Sequence, residues 1–465
     1  MPNFKILIIE KSEEFSQKIG ESVVDVTALL VESLEIEHLL KEHALKSGIR
    51  FLFNESNSVE QANVAEFASP TLNGRIKGYH LNRKLFDEQL LEEVVRKGAT
   101  LLRPATIKNY TNIDFKNEFE IETTDRIVSC FSKWVVDASG RARYISKKLN
   151  WSDKLISLQT GAISAHFKNI TPPEKWDSPK NDYWDKNAIN IRSYSTTHFM
   201  RKNCWWWLIK LDDTTTSVGL VFDKNKISFE NYEDFFFETI ANDNQLQKIL
   251  LNAERGKINY LENVPYVSEK LYAKGIALLG DSGAFIDPLI SPGLELMGQQ
   301  CQWLAKLLTN EKKTGIHRTN DWSKYEDRFQ KAYDSRILIY SRAYNFLHSF
   351  DLFSAWLKQG NYIYFGWIVF PSIIFKSRLK YPLRFNLIER GAVKYFANRF
   401  EKINAKRENL NVISNTKPFK ITYSKVRVPK GIGFIFIPTK LFVLAILAYL
   451  NVELKALKYL FKSKT

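Results

Sequence analysis

The sequence predicts an α/β chain with a β-rich layer inserted in its middle and a helical C-terminal part. Three observations carry this. Short apolar runs that end in acidic turns, Ile6 to Ile9 before Glu10 and Gly275 to Leu279 before Gly280-Asp281, read as buried strands feeding helices. Residues from about 155 to 270 are rich in Trp, Tyr, Phe, Thr and Val between turn clusters, which reads as a mixed sheet. From Pro292 onward, helical spacing dominates.

The elements follow in order. The opening Met-Pro-Asn-Phe-Lys-Ile-Leu-Ile-Ile-Glu has an apolar run of only four residues, so a strand is expected rather than a secretion signal. Ending it in Glu10 places a carboxylate where a nucleotide-binding sheet presents one to ribose hydroxyls. Lys18-Ile19-Gly20-Glu21-Ser22 then leads into a helical pattern from Val24 to Leu45. A second helix runs from Leu85 to Lys97, entered by Tyr79-His80-Leu81-Asn82-Arg83. Strands are expected around Thr100 to Leu102 and Glu118 to Glu122, and Trp134 to Arg141 is another strand-to-turn element. No internal repeat or low-complexity segment interrupts the chain.

The most informative stretch is Gly280 to Leu294, Gly-Asp-Ser-Gly-Ala-Phe-Ile-Asp-Pro-Leu-Ile-Ser-Pro-Gly-Leu. A buried strand stops at a Gly-Asp turn, and a helix opens at Pro292 and Gly293 with Leu294, Met297, Cys301, Leu304 and Leu308 on one face. Such an entry aims unpaired backbone N–H groups and the positive helix end at an electron-rich ring or a phosphate. An ordinary strand-turn-helix corner explains the Gly and Pro, but not two aspartates six residues apart.

Bulk properties bound the rest. With 465 residues, 45% apolar and 25% charged, the chain is globular and long enough for two or three domains. Cys130, Cys204 and Cys301 are scattered, which gives neither a disulfide framework nor a metal site and fits a reducing cytoplasm. From Lys376 onward there are 20 Lys+Arg against 4 Asp+Glu, so the whole net charge of +16 sits in the last fifth. Apolar runs, Tyr362 to Phe375 and Ile432 to Leu450, interleave with that charge, and nucleic-acid-binding tails rarely carry such runs; no nucleic-acid partner is expected. Pro438 and Lys440 leave the second run too short to span a bilayer. Two readings stand: peripheral attachment of residues 361–465 to the inner face of a membrane, or a buried C-terminal helix with a basic solvent face.

In this order the segments resemble the flavin-dependent halogenase and aromatic monooxygenase superfamily, over roughly residues 5 to 310. Gly280 to Leu294 resembles its second FAD motif, Lys18 to Ser22 its "GES" turn, Arg83 to Asp87 with Gly98-Ala99 its "R..FD" helix, and Asp137-Ala138-Ser139-Gly140 its "DASG" turn. The resemblance implies an FAD/NAD(P)-binding Rossmann-like domain in residues 1–150 and 273–310, a substrate-binding β-sheet domain in 151–272, and a helical basic and apolar region in 311–465. It implies FAD as cofactor, held by Glu10, Lys11, Arg83, Ala138, Gly280, Asp281, Asp287, Pro288, Gly293 and Leu294, with reduced flavin supplied by a flavin reductase. The family also begins with a strand and a Gly-X-Gly-X-X-Gly loop that cradles the FAD pyrophosphate. No such loop occurs in this chain, whose one Gly-X-Gly is Gly431-Ile432-Gly433 in the basic tail. The expectation is a chain lacking its first βα unit, through a misassigned start or as a fragment, that binds FAD weakly or not at all.

The resemblance further implies that reduced FAD and O2 form a C4a-hydroperoxide. In halogenases, halide attacks it and hypohalous acid reaches the substrate beside a lysine. In monooxygenases, oxygen is transferred directly. Leu45 to Phe51 resembles the segment carrying the halogenase lysine, which places Lys46 in the catalytic role; a solvated surface lysine fits the same residue. Cys204-Trp205-Trp206-Trp207-Leu208-Ile209-Lys210 resembles the "GWxWxIP" signature, putting Trp205 and Trp207 at the substrate pocket, although alternating aromatics also describe one packed strand face. Ile290 stands where tryptophan halogenases carry a glutamate, and Pro292, lacking an N–H, stands at the halide site. The expected substrate is therefore an apolar aromatic or polyene compound, free or carrier-bound, that is halogenated or oxidised. A monooxygenase or geranylgeranyl-reductase-like enzyme is the second reading, and a cofactor-less, membrane-associated homologue the third.

Overall fold

The computed structural model describes residues 4–53, 63–68, 78–176, 192–350 and 387–409, with a few more between 352 and 360. Leu7–Ile9 and Thr100–Leu102 pair in parallel, Leu7 opposite Thr100, and the helix Arg83–Arg96 lies between them in sequence, as a parallel connection requires. Asn82 caps that helix, its Oδ1 accepting Leu85 N at 3.3 Å. A second parallel pair joins Val135–Asp137 to Ile276–Leu278, with Tyr272–Ala273 antiparallel beyond it. Both pairs pack on a three-stranded antiparallel sheet of Ala105–Ile113, Lys116–Thr123 and Ile127–Ser132: Ile9, Leu102, Val135, Ile276 and Leu278 share one apolar cluster with Tyr110, Phe119 and Ile121.

Among the described residues the largest sheet has eight strands. Thr160–Lys168, Thr215–Asp223, Cys204–Lys210 and Ser195–Arg201 run antiparallel in that spatial order, and Gly48–Phe53 then adds in parallel to Ser195–Arg201, followed by Asn63–Ala68. Two strands from early in the chain thus complete a sheet built mainly from its middle. Both faces are covered. Trp205, Trp207 and Ile209 face a core shared with Leu296, Leu304, Trp322 and Phe329 of the C-terminal helices, while Trp206 and Leu208 face Phe236, Leu246 and Ile249. Covering on both sides explains why this strand is aromatic at successive positions rather than alternating with polar residues. Gly219 lies opposite Trp207, and a Cβ there would stand 2.1 Å from the indole, so the ring needs this glycine.

The C-terminal part contains the helices Gly293–Thr314, Thr319–Ala343 and Leu387–Asn409, the last two joined by Arg342 Nη1 donating to Glu401 Oε1 at 2.5 Å. Among the described residues no helix is long and apolar enough to cross a membrane. The runs Tyr362 to Phe375 and Ile432 to Leu450 lie outside the described residues.

One expected element is divided. Instead of one helix from Val24 to Leu45, the chain forms a helix Asp25–Ser33, a 3-10 turn Glu37–Leu40 and a strand Ala44–Lys46. The break falls at Glu35, whose φ of 60° turns the chain. That turn folds Ile36, Leu39 and Leu40 back onto Val23 and Val31, so burial on two sides wins over continuation of a single helix.

Candidate functional site

The acidic turns gather at the carboxyl ends of the parallel strands, where open α/β sheets leave a crevice. Ile276–Leu278 runs into the turn Gly280–Ser282, and Gly280 has a φ of 59° with Met297 Cγ 3.0 Å from where a Cβ would stand. Gly280 N donates to Gln300 Oε1 at 2.8 Å, which ties the turn to the helix Gly293–Thr314. The Ser282 hydroxyl donates to Asp137 O and so joins this turn to the neighbouring strand end. Asp137 itself is buried and accepts Ser139 N at 2.9 Å and Ile145 N at 2.8 Å, leaving Ala138 exposed at the tip.

Asp281 is half-buried, and its side chain accepts no hydrogen bond among the described residues. Burial pushes its carboxyl up to about 6, against the opposing pull of Arg141 and Arg83. Arg83 is held by Asp87 through two 3.0 Å bonds and donates through Nη1 to Gly20 O at 3.2 Å. Lys18 Nζ reaches Asp87 at 3.2 Å, so the Gly20 loop is clamped to the helix behind it. Glu10 follows the strand Leu7–Ile9 and accepts Ser12 N at 2.9 Å, while Lys11 beside it is exposed. At the helix entry Gly293 is exposed with open space where a side chain would stand, Pro288 is half-buried, and Leu294 packs on Val23 and Leu81.

Because the folded pKa of Asp281 exceeds the unfolded value of about 3.9, the fold loses stability as pH rises from about 4 to about 6 and keeps that loss above. Asp281→Asn is therefore expected to raise Tm at pH 8 and to leave it nearly unchanged at pH 4. Equal shifts at both pH values in thermal melts would remove this account of the residue.

Asp287 is wholly buried and has a different setting. Its Oδ2 accepts the Tyr344 hydroxyl at 2.6 Å and Thr160 Oγ1 at 3.4 Å, and its Oδ1 accepts Leu289 N at 3.0 Å. Tyr344 Oη in turn accepts Trp205 Nε1 at 2.8 Å. Burial pushes the Asp287 carboxyl up to about 6, with these donors pulling it back. Trp207 Nε1 donates to Ser217 Oγ at 3.1 Å, so both tryptophans are buried with their N–H groups satisfied inside the protein.

Lys46 ends the strand Ala44–Lys46, half-buried, and its Nζ donates to Ser22 Oγ at 2.9 Å. Ser22 Oγ lies 3.1 Å from Thr196 Oγ1, which lies 2.8 Å from His80 Nε2, and His80 Nδ1 is 2.9 Å from Lys210 O. Glu21, next to Ser22, is buried against His166 Nε2 at 2.7 Å. The structure thus brings Asp281, Arg83 and the Gly280 turn together, and separately joins Lys46 to the large sheet. Sequence reasoning missed Ser22, Thr196 and His80 as members of the lysine's surroundings. The only signal was the position of Ser22 in the "GES" turn and of His80 at a helix entry.

A Rossmann-like α/β domain with an inserted mixed sheet, acidic turns at its strand ends and a half-buried lysine at the junction defines the class. The chain belongs to the tryptophan halogenase family, whose model matches residues 57–345. It is 22% identical over 345 residues to the flavin-dependent halogenase chlA of Dictyostelium discoideum, an alignment covering 68% of this chain and 55% of that protein. It is 28% identical over 223 residues to the 1H-pyrrole-2-carbonyl-[peptidyl-carrier protein] chlorinase of Pseudomonas fluorescens, covering 47% of each. The chain thus spans only about half the length of these two relatives. In fold it is similar to the halogenase PltM crystallised with phloroglucinol and FAD, with a TM-score of 0.75, 16% identity and 88% of both chains covered. The flavin-dependent brominase Bmp2 has a TM-score of 0.66 at 17% identity, covering 85% of this chain and 93% of that one.

Proposed function

We propose that the chain is an FAD-dependent oxidoreductase of the halogenase type, acting on an apolar, electron-rich aromatic substrate. The observation that carries this reading is the placement of Lys46: half-buried, bonded to Ser22 of the "GES" turn, and joined through it to Thr196 of the large sheet. The residues present fit the hydroxyl-rich and flavin parts of FAD, while the Gly-X-Gly-X-X-Gly loop that would cradle its pyrophosphate does not occur in this sequence, so weak retention of the cofactor is expected. Asp281, whose side chain accepts no hydrogen bond among the described residues, and Glu10 both follow parallel strands and offer acceptors for a hydroxyl-rich cofactor; Arg83 and Arg141 stand beside Asp281. Ala138 at the tip of its turn, Lys11, and Pro288, Gly293 and Leu294 at the helix entry complete the proposed contacts, with Asp287 held behind them.

The chemistry FAD supplies when bound and reduced is activation of O2, which oxidises halide to hypohalous acid. Lys46 would donate an N–H to that acid, or take its halogen as a haloamine, beside the ring to be halogenated. The substrate pocket would border the sheet face carrying Trp205 and Trp207, whose buried indoles support its wall. Without a carboxylate at Ile290, a phenol or pyrrole that is already activated suits the site better than indole. The carrier-bound pyrrole in the name of the Pseudomonas fluorescens chlorinase supports a tethered substrate, and a flavin reductase is the expected electron donor. Peripheral membrane contact through 361–465 rests on composition alone, as does a cytoplasmic location.

Pro292 favours a second reading, because its missing N–H removes a halide donor and suits oxygen transfer or polyprenyl reduction instead. The test is a product assay with FAD, a flavin reductase, NADH and bromide, run on a phenol, on a pyrrole and, separately, on an unsaturated polyprenyl. Brominated product supports halogenation, and hydroxylated product or saturated polyprenyl supports the second reading. A protein that fails to quench or retain FAD at any concentration supports a homologue without its cofactor.

A further inference from the structure

Lys46 stands at one end of a line of polar groups whose hydrogens can be assigned. Strand pairing sets the line: Gly78–His80 lies between Ser22–Val23 and Ala44–Lys46, with Ser22 opposite His80 and Lys46 opposite Gly78. Thr196 comes from the large sheet, where it is opposite Ile49. Ser22, Thr196 and His80 are all buried, so bulk water does not scramble their bonds.

The far end decides the rest. Lys210 O can only accept, so His80 Nδ1, 2.9 Å away, carries a hydrogen. Burial, reinforced by the Lys46 charge and opposed by the bond to Lys210 O, holds the His80 pKa down at about 3, so the ring is neutral near pH 7. A neutral ring protonated at Nδ1 presents a lone pair at Nε2, and the Thr196 hydroxyl must donate to it across 2.8 Å. With its one hydrogen spent, Thr196 Oγ1 accepts from Ser22 across 3.1 Å. Ser22 then has no hydrogen left for Lys46 and accepts from its Nζ at 2.9 Å.

We propose that Thr196 and His80 are positioning residues for Lys46: by committing the Ser22 hydroxyl to Thr196 they make Ser22 an acceptor only. One Lys46 N–H is thereby held in either protonation state. The lone pair of the neutral amine, the reacting electrons in haloamine formation, is turned away from Ser22. This rests on the role of Lys46 given above. If the line were reversed, Ser22 would donate to that lone pair and mask it.

The test reads amine reactivity in the protein without turnover. Lys46 is acetylated with trace acetic anhydride at pH 8 and quantified by peptide mass spectrometry against the exposed Lys116. Thr196→Val frees the Ser22 hydrogen and is expected to lower Lys46 acetylation by about 3- to 10-fold, the worth of one net hydrogen bond, while Thr196→Ser restores it. Unchanged acetylation in Thr196→Val overturns the proposal, as does an equal loss in Thr196→Ser, which would report packing. A second measurement needs no variant: 15N NMR of His80 should show the Nδ1–H tautomer, and an Nε2–H tautomer overturns the assignment. If Lys46→Met leaves halogenation intact, the functional reading falls while both of these results stand.

Discussion

Lys46→Met is expected to remove nearly all halogenated product, by about 10²- to 10⁴-fold, the range found when a positioned proton-transfer or nucleophilic group is lost. Methionine keeps the length of the aliphatic stem, and Lys46 is only half-buried, so the fold should survive. A built-in control reports that the charge has gone without reference to activity. His80 and His198 are both buried and held near 3, first by burial and then by the Lys46 ammonium. Removing that ammonium should move both histidine titrations upward in NMR, with burial still keeping them below the ordinary range. Product formation within tenfold of the parent, in a variant whose histidines have shifted, would sink the assignment of Lys46.

Tyr344→Phe carries the second large effect, and it falls on stability. The phenol hydroxyl donates to Asp287 at 2.6 Å and accepts Trp205 Nε1 at 2.8 Å, so its loss leaves two buried polar groups without that partner. The cost is about 2–4 kcal/mol, one to two unsatisfied buried groups. It should depend on pH in a definite sense. Asp287 already has its folded pKa raised to about 6, so the fold loses stability as pH climbs from about 4 to about 6. Taking away a donor to the carboxylate raises that pKa further and extends the loss upward. Urea melts at pH 5 and pH 8 should therefore show the larger deficit at pH 8. The same small deficit at both would mean that Tyr344 is not holding the carboxylate.

Much of the fold could be read directly from local pattern. The Gly280 turn, the helix opening at Gly293, the helix behind Arg83 and the short parallel strands are each set by residues close in sequence: a left-handed glycine, a proline, an asparagine cap, an apolar run. Trp205 and Trp207 show the limit of that reading. Alternation placed them on one face, but only the packed helices reveal that the opposite face, with Trp206, is buried as well. Lys46 was legible as a residue and illegible as a place. Its helical surroundings dissolve at Glu35, and its strand is defined by pairing with Gly78–His80, which no local pattern announces. The line from Lys46 to Lys210 O draws on five separate strands. Only tertiary assembly brings those strands together.

The parallel pairing of Gly48–Phe53 with Ser195–Arg201 has a consequence for synthesis in the cell. Phe51 and Phe53 are fully buried in the finished sheet, yet their strand has no neighbour on one side until residue 201 has left the ribosome. For all that time an apolar strand edge is on offer to any other chain. Long-range closure of this kind is slow, so the yield of native protein should depend on translation speed and on holdase chaperones that cover the early strand. Variants that weaken the Ser195–Arg201 strand should then appear first as aggregation during expression, before any defect in the purified protein.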